Sequence, residues 1–163
     1  SELMDFRLNV MRSNNLKLSD IQEASSELEL LPGAYNFLQK IRQNFQVVIL
    51  SDTFHEIAKP LMEKMGFPLL LCHNLDVVND EIISYKLRNK KAKKQAIESF
   101  QSIGYRCLAA GDSYNDLQMF EVADKSFFIN APDKISSSYP EIPSFDNYTD
   151  LESAIVDNSI FKK

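Results

Sequence analysis

The sequence is poor in cysteine. Two Cys in 163 residues cannot build the dense disulfide framework of a small secreted scaffold. No apolar run approaches eighteen residues, so no membrane-spanning helix is expected. No signal peptide is read at the start, and a cytoplasmic location is expected. Positive charge is not in excess: 18 basic side chains stand against 23 acidic ones, a net charge of -5. That balance argues against a general binder of nucleic acid or of anionic membranes. Internal repeats, low-complexity tracts and clusters of Cys and His are also lacking. What is present is 44% apolar and 25% charged, the composition of one folded domain with a core.

The pattern along the chain alternates between helical and strand signals. Residues 1–30 read as helix, broken at Asn14 and Asn15, with Ser19 and Gln22 spaced as a capping box before Ile21, Ala24 and Leu28. Pro32 and Gly33 punctuate, and a helix is predicted over 33–43. Phe45 to Leu50 holds four consecutive β-branched or aliphatic residues, Val47 to Leu50, and reads as a strand ending at Ser51-Asp52, of the kind buried on both faces in parallel sheets. A helix over 54–65 stops at Gly66, and Leu69 to Cys72 is a second short strand. Residues 75–87 read as a hairpin turning at Asn79-Asp80. A helix over 91–103, a strand at Arg106–Ala110, a helix over 115–122 and a strand at Phe127–Ile129 follow. Residues 131–148 read as irregular, and Thr149 as the cap of a last helix over 150–156. The expectation is α/β: a doubly wound, mostly parallel sheet whose ligands bind beyond the carboxyl ends of its strands.

Two of those strand ends carry chemistry. Gly111-Asp112-Ser113-Tyr114-Asn115-Asp116 delivers two carboxylates four residues apart, straight after the apolar Cys107-Leu108-Ala109-Ala110. Asp112 can ligate a hard cation such as Mg²⁺, and Asp116 can ligate it too or orient a bound water. The plainer reading is a turn whose Asp, Ser and Asn are caps. Ser51-Asp52-Thr53 repeats the arrangement: a hydroxyl there can meet a phosphoryl oxygen, or all three can be ordinary helix caps. The basic run Lys86, Arg88, Lys90, Lys91, Lys93 and Lys94 reads mostly as a solvated face, with one Lys able to balance phosphate and carboxylate charge. His55 and His73 read as structural or surface residues, Cys72 and Cys107 as small buried hydrophobes, and Arg7 as a snorkelling side chain.

Together, Val47-Val48-Ile49-Leu50-Ser51-Asp52-Thr53-Phe54, Leu69-Leu70-Leu71-Cys72-His73 and Ala109-Ala110-Gly111-Asp112-Ser113-Tyr114-Asn115-Asp116 resemble the motifs of the haloacid dehalogenase superfamily. The resemblance is to its phosphoserine phosphatase branch, of the bifunctional phosphoserine phosphatase/homoserine phosphotransferase type. It implies a Rossmann-like core at 31–163 and a partial helical cap at 1–30. It implies that Ser51 binds the transferring phosphoryl group, with Asp52, Thr53 and Asn115 among the substrate-binding residues. Lys93 resembles the lysine of the third motif, although Lys91-Ala92 stands where the branch often has Asp-Pro. Asp112 resembles the Mg²⁺ ligand, Asp116 its partner, and Arg7 the arginine that grips the amino-acid carboxylate. Ser113 stands where the homoserine-transferring type has Ser.

The same resemblance implies a first motif, Asp-x-Asp or Asp-x-Glu, whose first Asp attacks phosphorus. No such string precedes Ser51. The expectation is therefore a chain lacking that motif and the central strand that carries it, inactive as it stands. Phosphoserine is the implied substrate and homoserine a possible acceptor. A homodimer or a complementing N-terminal segment is the implied partner, with neither nucleic acid nor membrane. A catalytically dead phosphate-binding or regulatory module is the alternative. A receiver-like domain is a poor third, because the hairpin at 75–87 does not suit it.

Overall fold

The computed structural model describes residues 2–89 and 91–158. In chain order the first elements are α1 (Glu2–Ser13), α2 (Leu18–Glu27), α3 (Ala34–Ile41), β1 (Val48–Phe54), α4 (His55–Lys64), β2 (Leu69–Val78) and β3 (Glu81–Lys86). Then come α5 (Ala92–Ser102), β4 (Leu108–Gly111), a 3-10 turn (Tyr114–Asp116), α6 (Leu117–Phe120), β5 (Lys125–Ile129), α7 (Asp133–Ser136), β6 (Ser144–Phe145) and α8 (Tyr148–Asp157). They form two compact units, one of residues 1–38 and 45–90, the other of 39–44 and 91–163.

The first unit is built on a sheet in the order β1-β2-β3. β1 and β2 are parallel, joined through α4, and β2 and β3 form an antiparallel hairpin. The hairpin turns at Asn79 and Asp80, both with positive φ (51° and 67°), the backbone of a two-residue type I′ turn. Leu8, Phe54, Leu75 and Ile82 make one core cluster under α1 and α2. Ala58, Met62, Leu70 and Cys72 make another under α4. Their spacing on α4, four residues apart, puts Ala58 and Met62 on one helical face.

The second unit has the sheet order β4-β5-β6, all parallel. β5 lies in the middle, so Phe127 and Phe128, which point to opposite faces, are both buried. Phe128 meets Phe120 of α6 edge-on at 5.3 Å, and Phe127 meets Phe145 of β6 at 6.1 Å. Among the described residues β1 pairs with β2 alone, and β4 with β5 alone.

Several local expectations are corrected. The strand at Phe45–Leu50 starts later and runs on to Phe54, so Ser51, Asp52 and Thr53 lie within β1 and are not caps of α4, whose N-cap is Phe54. The strand at Leu69–Cys72 and the first arm of the hairpin are a single strand, β2. Ser19 is not the cap of α2: Lys17 is, and its N–H donates to Asp20 Oδ2 at 2.8 Å. The last helix is capped by Asn147, whose side-chain oxygen accepts the Asp150 N–H at 2.9 Å, not by Thr149. The stretch 131–148 contains α7 and β6.

Candidate functional site

In the second unit the site grows from the end of β4. The chain leaves the sheet at Gly111, and the 3-10 turn brings Asp116 back over it. Asp116 is buried, at 5% exposure. Its Oδ2 accepts the N–H groups of Asp112 and Ser113, each at 3.0 Å, and the Ser113 hydroxyl at 2.9 Å. Its Oδ1 accepts Lys93 Nζ at 2.8 Å. Burial pushes this carboxyl up, but the Lys93 bond and charge and the Ser113 bonds outweigh it and hold the group below the usual carboxylate range.

Lys93 stands in the first turn of α5, where a cation opposes the helix dipole. The ion pair with Asp116 offsets that penalty and explains why this lysine, out of the basic run, is turned inward, 13% exposed. Lys91 initiates the helix in the left-handed conformation, φ 63°. Lys90 lies outside the described residues.

The structure thus brings Lys93, Asp116 and the Asp112-Ser113 backbone together. The Asp112 and Asn115 side chains are exposed. Tyr148, at the start of α8, escaped the sequence reading. Burial and then the nearby Asp112 charge push its hydroxyl pKa up.

Does this set suit a divalent cation? Asp112 offers a hard oxygen ligand, whereas both Asp116 oxygens already accept bonds. Among the described residues no three His, Cys, Asp or Glu side chains gather as a metal site. The residues therefore fit Mg²⁺ in one respect: one carboxylate, with water and a substrate phosphate left to complete the shell, as Mg²⁺ commonly accepts.

In the first unit, β1 and β2 stay in register as far as Leu50 opposite Leu71, and resume at Phe54 opposite His73. Four steps along β1 match two along β2, so Ser51-Asp52-Thr53 bulges from the ladder. The Ser51 hydroxyl accepts the Thr53 N–H at 3.2 Å, closing the bulge, and a hydroxyl that accepts in this way can still donate its own proton. Asp52 and Thr53 line a cavity of about 520 Å³, together with Arg7 and the apolar Met4, Met11, Ile21, Ile57 and Leu75. Arg7, Asp52 and Thr53, singled out separately in the sequence, share this cavity; Ser51 does not line it. The cysteines bring no reactive thiolate: burial, with Glu56 nearby, pushes Cys72 up to about 11, and burial also raises Cys107.

Comparison with known proteins places the chain in a family. The profile of the hydrolase family described as haloacid dehalogenase-like hydrolase matches residues 3–124. Phosphoserine phosphatase ThrH of Pseudomonas aeruginosa is 44% identical over 151 residues, which are 92% of this chain and 74% of that protein. The phosphoserine phosphatase of Pseudomonas syringae pv. tomato is 44% identical over 155 residues, 94% of this chain and 65% of that one. Among solved structures, an apo phosphoserine phosphatase superposes with a TM-score of 0.71 at 18% identity, covering 86% of this chain and 72% of that chain. The phosphoserine phosphatase of T. onnurineus gives a TM-score of 0.67 at 20% identity, over 86% of this chain and 66% of that one. The solved structures show a shared fold.

Proposed function

Because this chain belongs to the haloacid dehalogenase-like hydrolases, and within them to the phosphoserine phosphatase type, we propose that it supplies the phosphate-binding and metal-binding residues of a phosphoryl-transfer enzyme acting on O-phosphoserine. The single observation that carries this reading is the pinned ammonium. Lys93 is held by Asp116, and the same carboxylate holds the backbone of Asp112. One carboxylate thus fixes a cation and the backbone that carries Asp112, the carboxylate proposed to hold the metal, and this supports stabilisation of a phosphoryl group by position and charge.

Ser51 is assigned the hydroxyl that donates to a phosphoryl oxygen, and the backbone of the Asp52-Thr53 bulge orients it. Arg7 is assigned the substrate carboxylate, with Thr53 and Asn115 as further polar contacts. Asp112 is the residue that would hold Mg²⁺, whose chemistry when bound is to neutralise phosphate charge. Homoserine as acceptor in place of water is the finer version of the proposal.

None of the residues assigned here is a nucleophile, and no Asp-x-Asp or Asp-x-Glu precedes Ser51 in the sequence. The chain by itself is therefore expected to bind phosphate without turning substrate over. The test is phosphate release from O-phosphoserine with Mg²⁺, beside inorganic-phosphate binding followed by ³¹P line width. Binding that is weakened by Ser51→Ala and by Mg²⁺ removal, without release, is the expected result. Release by the pure chain would overturn the assignment of the nucleophile. Absence of phosphate binding would overturn the site.

A further inference from the structure

The geometry points to His73 as the positioning residue of the Ser51-Asp52-Thr53 bulge, its neutral imidazole fixed with the proton on Nε2 and facing the Asp52 carboxylate. Four observations converge on it. His73 is buried at 7% exposure, on β2 directly opposite Phe54, where the β1–β2 register resumes after the bulge. Its Nδ1 accepts the Arg88 backbone N–H at 3.1 Å. Its Nε2 lies 3.9 Å from Asp52 Oδ1. Its ring packs on Phe54 at 5.9 Å, and Phe54 packs in turn on Tyr85 at 6.3 Å.

The tautomer follows from the bonds. A ring nitrogen that accepts an N–H carries no proton, so the neutral ring has its proton on Nε2. That N–H is then the atom aimed at Asp52. The separation is longer than a hydrogen bond, so the link is a dipole facing a charge across a short gap. A bulge has lost its ladder bonds and needs something else to fix it. Here Phe54 anchors its far end by packing, and His73 Nε2 faces its middle residue. On the other side, the same ring holds the chain as it leaves β3 at Arg88.

The charged groups facing the ring are Asp52 from β1 and Arg88 from beyond β3. From α4, Glu56 is turned to the Leu75 N–H at 2.9 Å. Burial lowers the His73 pKa, Asp52 opposes that and Arg88 adds to it. The neutral ring is thus the form present at neutral pH, and protonation would cost the Arg88 bond.

The consequence for phosphate rests on the assignment of Ser51 above, whereas the tautomer and its coupling to Asp52 do not. Two measurements separate them. ¹⁵N–¹H imidazole spectra of the chain should show the Nε2–H tautomer at neutral pH, titrating below the ordinary histidine value. Asp52→Asn, a change at an exposed side chain, should move that titration to still lower pH. A Nδ1–H ring, or a titration that Asp52→Asn leaves in place, would overturn the inference. His73→Asn keeps an acceptor in place of Nδ1 and removes the Nε2–H. It should leave Tm near the parent value, shift the Ser51, Asp52 and Thr53 amide resonances, and weaken inorganic-phosphate binding severalfold. His73→Gln, which keeps a donor in place of Nε2, should restore part of that loss. A fall in Tm with those amides unmoved would mark His73 as merely structural and overturn the inference. If His73→Asn fails to fold, the imidazole titration in Asp52→Asn decides. Failure of the parent chain to bind phosphate, with tautomer and coupling as expected, would count against the Ser51 assignment alone.

Discussion

Asp116 lies so close over Gly111 that a β-carbon on the glycine would meet Asp116 Cγ and Oδ2 at 2.5 Å. The glycine is there for close approach, not for an unusual backbone angle. The neighbouring group is a carboxylate that accepts four hydrogen bonds, which a swing aside would break. Gly111→Ala must therefore push Asp116 off its donors or distort the end of β4. We expect a loss on the order of 1–3 kcal/mol in urea denaturation, as for other overpacked sites. Shifted Asp112 and Ser113 amide resonances should accompany it. An alanine variant as stable as the parent, with those amides unmoved, would show that the 3-10 turn can open at little cost.

The pair Lys93–Asp116 gives a second prediction. Both side chains are mostly buried, so removing the cation leaves an uncompensated carboxylate. Lys93→Met should cost about 3 kcal/mol at neutral pH. Adding Asp116→Asn should recover part of it, which a double-mutant cycle reads as coupling. The pH dependence has a definite sign. Asp116 has a folded-state pKa below its unfolded value, so its contribution is complete above the unfolded value and is lost as pH falls through the folded one. The deficit of Lys93→Met should accordingly be largest at neutral pH and shrink in acid. A deficit independent of pH would mean that lost packing dominates over charge.

The end of β4 and the hairpin were legible because their signals are local. Asn79-Asp80 between two stretches rich in β-branched residues announces its turn, and the apolar run before Gly111-Asp112 announces a strand. Helix boundaries were misread where their partners are distant. Ser19 looks like an N-cap, but its N–H and hydroxyl both donate to Asp80, 61 residues away, at 3.0 and 2.5 Å. The other end of α2 is met by Lys64, whose Nζ donates to the Ser26 and Leu28 carbonyls at 2.6 Å each. β2 looked like two elements because its first half pairs with β1 and its second half with β3, so its burial pattern changes midway. The β1 bulge was invisible for the same reason: register is a property of two strands, and one strand's sequence does not contain it.

That remote Ser19–Asp80 contact can be tested directly. Asp80 accepts from the Ser19 hydroxyl and backbone N–H, and those bonds, strongest first, hold its pKa below the usual range. Asp80→Ala removes the acceptor of the Ser19 N–H and hydroxyl and also puts alanine at a positive φ, so Asp80→Asn, which keeps an acceptor and suits that backbone, is the control. Thermal denaturation should show a lower Tm for the alanine variant and a smaller drop for asparagine. Because the folded pKa is depressed, the stabilisation exists above the unfolded value and is lost as pH falls through the folded one. The carboxylate's share of the alanine deficit should fade in acid, while the cost of placing Ala at a φ of 67° stays at every pH. Unchanged Tm in Asp80→Ala at neutral pH would mean that water serves the α2 N-terminus equally well.

Asp112 and Asp116 are the same residue type four positions apart, yet the structure gives them opposite surroundings. Asp116 is buried and its oxygens accept four donors, while the Asp112 side chain is exposed and contributes only its N–H to that network. Substitution should separate the two. Asp112→Asn touches an exposed group and should change stability by no more than about 0.5 kcal/mol. It should nevertheless weaken Mg²⁺-dependent phosphate binding at least tenfold, because an amide is a poorer ligand for a hard cation than a carboxylate. Asp116→Asn should do the reverse in order of effect: it loosens the fold first, through Lys93 and the 112–113 backbone, and phosphate binding falls as a consequence. Calorimetric titration with Mg²⁺ and phosphate, run beside denaturation on both variants, reads the two effects separately. Equal stability losses in the two variants would show that the exposed carboxylate is part of the same structural clamp, and its assignment to the metal would fall.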